Sequence, residues 1–448
     1  MKSANGFRSK TAALGVTGLA TLLVLIPMLY NGTPLYYPDS MGYIFWGQKW
    51  QPVPERVSTY AAFIRGAALG KDLWFPVLLQ GLLAVIVLKR LWKRLCNEEP
   101  SVFFLISASL LGLLSPLGWT ASTLMPDIFC VLSSLFLYLL LFPDQGKRPA
   151  LYDVAGFTFC TAQHLSALLI NGLLFLLFVL WSIYKKRWKS TLHTSFSILS
   201  GLIMSCLAIG GIHWTMSKSF FISRSSPSFF TARLIETGVA SRYLGQHKSE
   251  FPELQAIKKQ FPMSAEQFLW QADSPILHLG GLKDPSGTMA DFNRKVLSEP
   301  SGLILYLKAG IKSGIKQFFL LDLGDGIFKG TMEQVRYYPE NLAESILSRQ
   351  YTGIDFSKLN VCCQSFFVFL LILFAAAFRE QFFTQELKML AIFILALLLL
   401  NAFVNGALAT PLNRYQVRLS WLVYFWLLAG IYLSLRNNRT FIFRSYPT

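Results

Sequence analysis

Residues 154–184 read VAGFTFCTAQHLSALLINGLLFLLFVLWSIY, thirty-one residues without Asp, Glu, Lys or Arg. About 20 apolar residues suffice for a helix to cross the hydrocarbon core, so this run is too long for one crossing. Basic residues stand at both ends, Lys147 and Arg148 before it and Lys185, Lys186, Arg187 and Lys189 after it. Cytoplasmic loops collect Lys and Arg, which puts both ends on the same side. Two short helices, one out and one back, satisfy length and charge together.

Working outward, apolar runs near spanning length occur at about 11–30, 73–89, 101–117, 127–142, 194–213, 361–378, 387–408 and 419–435. With the pair at 154–184 they predict an all-α polytopic membrane protein of about ten transmembrane helices. A hydrophobic content of 53% and a mean hydropathy of +0.44 agree, being outside the range of a soluble domain. The net charge of +17 falls in short clusters between apolar runs rather than along one soluble face, so nucleic acid is not the expected partner. Lys2, Arg8 and Lys10, residues 89–94, Lys147 and Arg148, residues 185–189, Arg379 and Lys388, and Arg436, Arg439 and Arg444 then share one side, the cytoplasm, with both termini. Residues 11–30 read as an uncleaved anchor.

The outer face receives 31–72, 118–126, 214–360 and 409–418. Three parts follow: an N-terminal transmembrane module at 1–213, a large outer segment at 214–360 and a C-terminal transmembrane module at 361–448. Within the outer segment, 302–321 reads as an amphipathic helix lying on the membrane, with Lys308, Lys312 and Lys316 opposite Leu, Ile and Phe. The six cysteines form no disulfide framework or metal pattern, and no His spacing suggests a metal. Asn31-Gly32-Thr33 matches a glycosylation sequon but abuts the membrane edge.

Two Pro-Asp pairs stand on the outer face. Asp39 in "YYPDSMGYIF" opens a helical turn whose aromatic residues, Tyr43 among them, suit the interface, and Asp127 in "TASTLMPDIF" opens an apolar run. Helix capping accounts for such carboxylates as well as catalysis does. It does not account for Arg56, Arg65, Arg414 and Arg418, the last two four residues apart and so on one helix face. Arginine near a membrane core is costly unless paired or used, and its fork matches phosphate oxygens; pairing with the two aspartates is the alternative. His164, inside the 154–184 run, needs a partner or a task. Arg233, Glu236 and Asp273 in "FFTARLIETG" and "FLWQADSP" are further candidates.

The order of these features resembles the GT-C superfamily of membrane glycosyltransferases, of the aminoarabinose and mannosyl transferase type. The features are the first-loop acid in "PDSMGY", a second acid at the next outer loop, the paired helices at 154–184 and "NRY" before the last helix. The resemblance implies an inner-membrane bacterial enzyme that takes a sugar from a polyprenyl-phosphate donor and passes it, outside the cytoplasm, to a glycan, lipid or protein. It implies Asp39 as the base of an inverting transfer, with Asp127 as the second acid. The donor phosphate would fall to Arg414, Arg418, Arg56, Arg65 or His164, with Tyr43, Arg233 and Asp273 as weaker substrate contacts. Relatives often carry a second acid directly after the first, where this chain has Ser40, and a lysine in the helix pair, where it has His164. Some use a divalent cation, but Asp39 and Asp127 alone offer too few oxygens to predict one. The alternatives are an O-antigen ligase or polymerase, and a lipid-linked glycan flippase.

Overall fold

The molecule is described by a computed structural model over residues 2–69, 72–99, 102–143, 149–186, 191–284, 286–329, 331, 347–377 and 384–444. Lys147, Arg148, Arg187, Lys189 and Arg379 lie outside the described residues, as do the side chains of Lys2, Arg8, Lys10, Arg439 and Arg444. The N-terminal part runs α1 (Lys2–Val24), α2 (Ile26–Asn31), α3 (Pro38–Lys49), α4 (Thr59–Ala67), α5 (Trp74–Cys96), α6 (Val102–Leu114), α7 (Pro116–Ser122), α8 (Asp127–Leu141), α9 (Leu151–Ala162), α10 (Leu165–Tyr184) and α11 (Leu192–Ser217). Then come α12 (Ser226–Glu236), α13 (Val239–Gln246), α14 (Pro252–Ile257), α15 (Ala265–Trp270), α16 (Thr288–Ser298), α17 (Pro300–Phe318), α18 (Arg349–Thr352), α19 (Ser357–Ala377), α20 (Gln385–Leu408) and α21 (Asn413–Arg444). No β-strand occurs among the described residues; one isolated parallel bridge joins Leu35 to Thr123.

Among the described residues, six helices, α5, α10, α11, α19, α20 and α21, are long and apolar enough to cross a membrane, and α6 with α7 would make a seventh. The chain is thus a polytopic, all-helical membrane protein. The difference from ten lies in how the apolar runs break. Residues 101–117 bend by 77° between α6 and α7, because Pro116 cannot continue the helix and Ser115 ends it, its hydroxyl donating to the Leu111 carbonyl at 2.6 Å. Residues 127–142 form a 15-residue helix, about 22 Å long and short of the ~30 Å hydrocarbon core. The first run has only Ala13–Val24 as a described apolar stretch. The 154–184 run does split, at Gln163-His164, into a 12-residue α9 and a 20-residue α10.

Helix α8 is the centre of the bundle: all its residues are buried, as expected for a helix apolar on every side. It packs against α5, α9, α10 and α11. At the end of the bundle where α5 and α21 finish, Arg90 pairs with Asp153 at 2.7 Å and Arg436 with Glu98 at 3.3 Å. Asp127 and Arg414 stand at the opposite ends of α8 and α21.

The loop between α2 and α3 is fastened to the stretch that leads into α8. The Leu35 amide donates to the Ser122 carbonyl (3.0 Å), Leu124 to Leu35 (2.8 Å), and the Ser40 hydroxyl to the Leu124 carbonyl (2.8 Å). Gln350 closes the loop from the other side, its amide group accepting from the Tyr36 N–H at 3.0 Å and donating to the Tyr36 carbonyl at 2.7 Å. Asn31 is buried, its side-chain amide donating to Thr33 at 3.0 Å and its oxygen accepting from Gln350, so the sequon offers nothing to modify.

Residues of α12 to α16 enclose a second hydrophobic core, which includes Leu234, Tyr243, Phe268 and Phe292. Helix α17 follows, seated on α20. Its glycine face lies on α20, with the position of a Cβ on Gly310 3.2 Å from Ala407 and on Gly314 3.2 Å from Phe403. Lys308, Lys312 and Lys316 stay exposed beside Ile304, Ile311 and Ile315. Glycine allows such close approach because no side chain separates the backbones. A Cβ on Gly406 would lie 2.6 Å from the Gly314 nitrogen, so Gly406→Ala should lower thermal stability by about 1–3 kcal/mol. Gly172→Ala, where nothing lies within 4 Å, should instead match or exceed wild type. Thermal denaturation of both variants in detergent checks the contrast.

Candidate functional site

Pro38 occupies the first turn of α3, where its missing N–H costs nothing, and Asp39 follows it inside that turn. Asp39 does not cap the helix. One carboxylate oxygen takes Arg56 Nη2 at 2.7 Å and the other takes Arg414 Nη1 at 2.7 Å. Asp39 is only 16% exposed and its partners 23% and 18%. Burial pushes its carboxyl up, but Arg414 and Arg56 together outweigh burial and hold it below the usual carboxylate range. Arg414 also stacks over Tyr37, 4.5 Å from the ring centre. Burial pushes the Tyr37 phenol up to about 12.

Asp127 is the first residue of α8, after Pro126, and it too bonds an arginine rather than the helix start: Oδ1 accepts from Arg418 Nη1 at 3.1 Å. Arg418 is fully buried, and its guanidinium also meets Ser166 Oγ at 3.1 Å, Asn401 Oδ1 at 3.0 Å and His164 Nε2 at 3.2 Å. His164 Nε2 faces this guanidinium, while Nδ1 accepts from the Ser166 N–H at 3.2 Å and lies 2.9 Å from Ser166 Oγ. His164 thus orients Arg418 at the break between α9 and α10. Asn401 is fixed in turn, donating to the Tyr415 carbonyl at 2.7 Å and to Gln416 Oε1 at 2.9 Å.

The four-residue spacing of Arg414 and Arg418 places them one turn apart on α21. Each therefore meets a different carboxylate: Arg414 the one on α3, Arg418 the one on α8.

Two cavities meet along this row. One, of about 500 Å³, is lined by Asp39, Tyr43, Glu55, Arg56, Asp127, His164 and Arg414. The other, of about 480 Å³, has Tyr37, Trp119, Asp322 and Asp325 on its wall and shares Met125, Asp127 and Arg414 with the first. Tyr43 is buried, its ring edge-on to Tyr60 at 5.0 Å and 5.8 Å from the Arg56 guanidinium. Comparison of the chain with protein-family models, curated proteins and solved structures gives no match. What the site can do rests on its own geometry.

Arg65, Arg233 and Asp273 line neither cavity. Arg65 caps the end of α3, donating to the carbonyls of Gly47 at 3.1 Å and Gln48 at 2.9 Å, over Trp50. Arg233 clamps α12 to α20: Nη2 and Nε donate to the Gly406 carbonyl at 2.7 and 3.1 Å, and Glu236 pairs with it at 2.5 Å. Asp273 is exposed. Among the described residues, no three His, Cys, Asp or Glu side chains form a metal-binding group.

Asn401 and Ser166 escape the sequence reading. Asn401 sits in "LLLLNAFVNGAL", and a polar residue inside so apolar a helix is the signal that marks it. Ser166 has no such signal, lying two residues past His164 in a mixed stretch.

Proposed function

We propose that this protein is a glycosyltransferase of the GT-C type that moves a sugar from a polyprenyl-phosphate donor to a glycan, lipid or protein acceptor. The observation that carries the reading is Asp39 held between Arg56 and Arg414 on the wall of a cavity. Arg56 also pairs with Glu55 at 3.2 Å, so the two guanidiniums face two carboxylates, and both forks suit phosphate oxygens. Arg418 is already committed to four partners, so donor phosphate falls to Arg56 and Arg414.

In this reading the phosphate draws both guanidiniums from Asp39. The carboxylate, relieved of two cations, becomes more basic and accepts the proton of the acceptor hydroxyl. The hydroxyl oxygen attacks the anomeric carbon opposite the phosphate, the carbon–oxygen bond to phosphate breaks, and the phosphate leaves with the electron pair and returns to the arginines. The anomeric configuration inverts.

The same reading puts the bundle end of Arg90 and Arg436 in the cytoplasm and the cavities on the outer face of a bacterial inner membrane, with both termini inside and about ten crossings. Helix α1, the bent α6–α7 pair, the short α8 and α9 would supply the crossings beyond the six long helices. Mass spectrometry of envelope glycolipids and glycoproteins from cells with and without this chain tests the function. One hexose- or pentose-sized mass should depend on the chain; identical profiles would reject the transferase.

A further inference from the structure

The second cavity carries its own recognition surface. Its wall is the loop 322–326, in which Gly324 and Gly326 take φ of +87° and +80°. A Cβ on Gly326 would lie 1.9 Å from the Tyr37 ring and one on Gly324 2.3 Å from the Phe356 ring, so this backbone path requires glycine twice. The loop is tied down by Asn413 Oδ1, which accepts from the Asp322 amide at 3.1 Å, and by Asn360 Oδ1, which accepts from Leu323 at 2.7 Å. Asp322 and Asp325 are thereby presented on a fixed turn.

Opposite stand donors without acceptors. Trp119 is 9% exposed and Arg418 0%, both line the cavity, and neither Trp119 Nε1 nor Arg418 Nε has a partner among the described residues. Buried donors are normally satisfied, and leaving them bare is costly. Charge narrows the ligand further. Arg414 and Arg418 are paired with Asp39 and Asp127, whereas Asp322 and Asp325 form no ion pair among the described residues. The cavity therefore combines an aromatic wall, lining residues whose buried donors lack acceptors and two carboxylates without a cation, Asp322 also accepting from Gln364 Nε2, a set suited to a ring bearing several hydroxyls and hostile to an anion.

We propose that this cavity is the acceptor subsite and takes a neutral or amino saccharide, with Asp322 and Asp325 accepting its hydroxyl or ammonium protons and Trp119 and Arg418 donating to its oxygens. The assignment rests on the transferase reading. The shared Asp127 and Arg414 would put a hydroxyl of the bound ring beside the donor cavity.

Saturation-transfer NMR on the full chain in nanodiscs, with methyl glucoside, methyl glucosaminide and methyl glucuronide at neutral pH, tests it. The first two should receive saturation and the glucuronide should bind roughly tenfold more weakly. Asp325→Asn should reduce that discrimination, and Trp119→Phe, which removes the indole N–H, should weaken all three. No signal from any glycoside, equal signals from glucoside and glucuronide, or an unchanged pattern in either variant overturns the proposal. Undecaprenyl phosphate binding to the same samples reads the other cavity and should be weakened by Arg56→Ala. Should wild type bind no undecaprenyl phosphate, the transferase reading fails while the saccharide signals still judge the subsite.

Discussion

Asp39→Asn should lower sugar transfer by at least about a hundredfold, the smaller end of what a positioned base contributes. The substitution keeps the shape of the side chain and removes its charge and proton affinity. Arg56 and Arg414, each 2.7 Å from the carboxylate, would lose this anion, Arg56 keeping Glu55 at 3.2 Å, so undecaprenyl phosphate should bind the variant at least as tightly as wild type. A merely structural aspartate predicts the reverse: transfer and phosphate binding should fall together. The stability cost is on the order of 1–3 kcal/mol, since two partly buried guanidiniums are left with a weaker acceptor. Its pH dependence has a definite sign. The folded carboxyl titrates below its unfolded value of about 3.9, so its contribution is fully present above that value and is lost as pH falls through the lower, folded one. The stability gap between wild type and Asp39→Asn should be constant through the neutral range and close only in strong acid. Transfer by purified protein, phosphate binding and thermal denaturation on the same pair of proteins check all three statements.

The legible part of this molecule is whatever depends on short stretches of chain. Helical content, the split of 154–184, the Pro-Asp starts of α3 and α8, and the shared face of Arg414 and Arg418 all follow from spacing and composition. Pairing between distant segments does not. Nothing local connects Arg56 and Arg414 to one carboxylate, or Arg418 to Asn401 across a turn between helices. Nor does local sequence separate kinds of arginine. Arg65 and Arg233 look as purposeful as Arg414, yet one caps a helix and the other holds two helices together. The second cavity is illegible for a further reason: nothing local to Gly324 and Gly326 places Tyr37 and Phe356, from opposite ends of the chain, against them.

Arg418→Met should be the most destabilising change at this site. Its side chain is 1% exposed and its guanidinium holds together Asp127, His164, Ser166 and Asn401, which come from α8, the α9–α10 break and α20. Methionine fills much of the space but leaves Asp127, 9% exposed, as a buried carboxylate without its cation. Breaking such a pair from one side costs about 3–5 kcal/mol, more than the attraction itself contributes, because desolvation of the remaining charge is no longer offset. The charge, rather than the lost packing, is then the main term, and a second substitution isolates it. Asp127→Asn removes the stranded charge, so the double variant Arg418→Met, Asp127→Asn should be more stable than Arg418→Met alone despite carrying one more change. Thermal denaturation of wild type, the two single variants and the double variant gives the coupling directly. Strict additivity would mean that Arg418 and Asp127 act independently, and the buried row would then be a packing feature rather than the electrostatic anchor that sets the height of Arg414 one turn away.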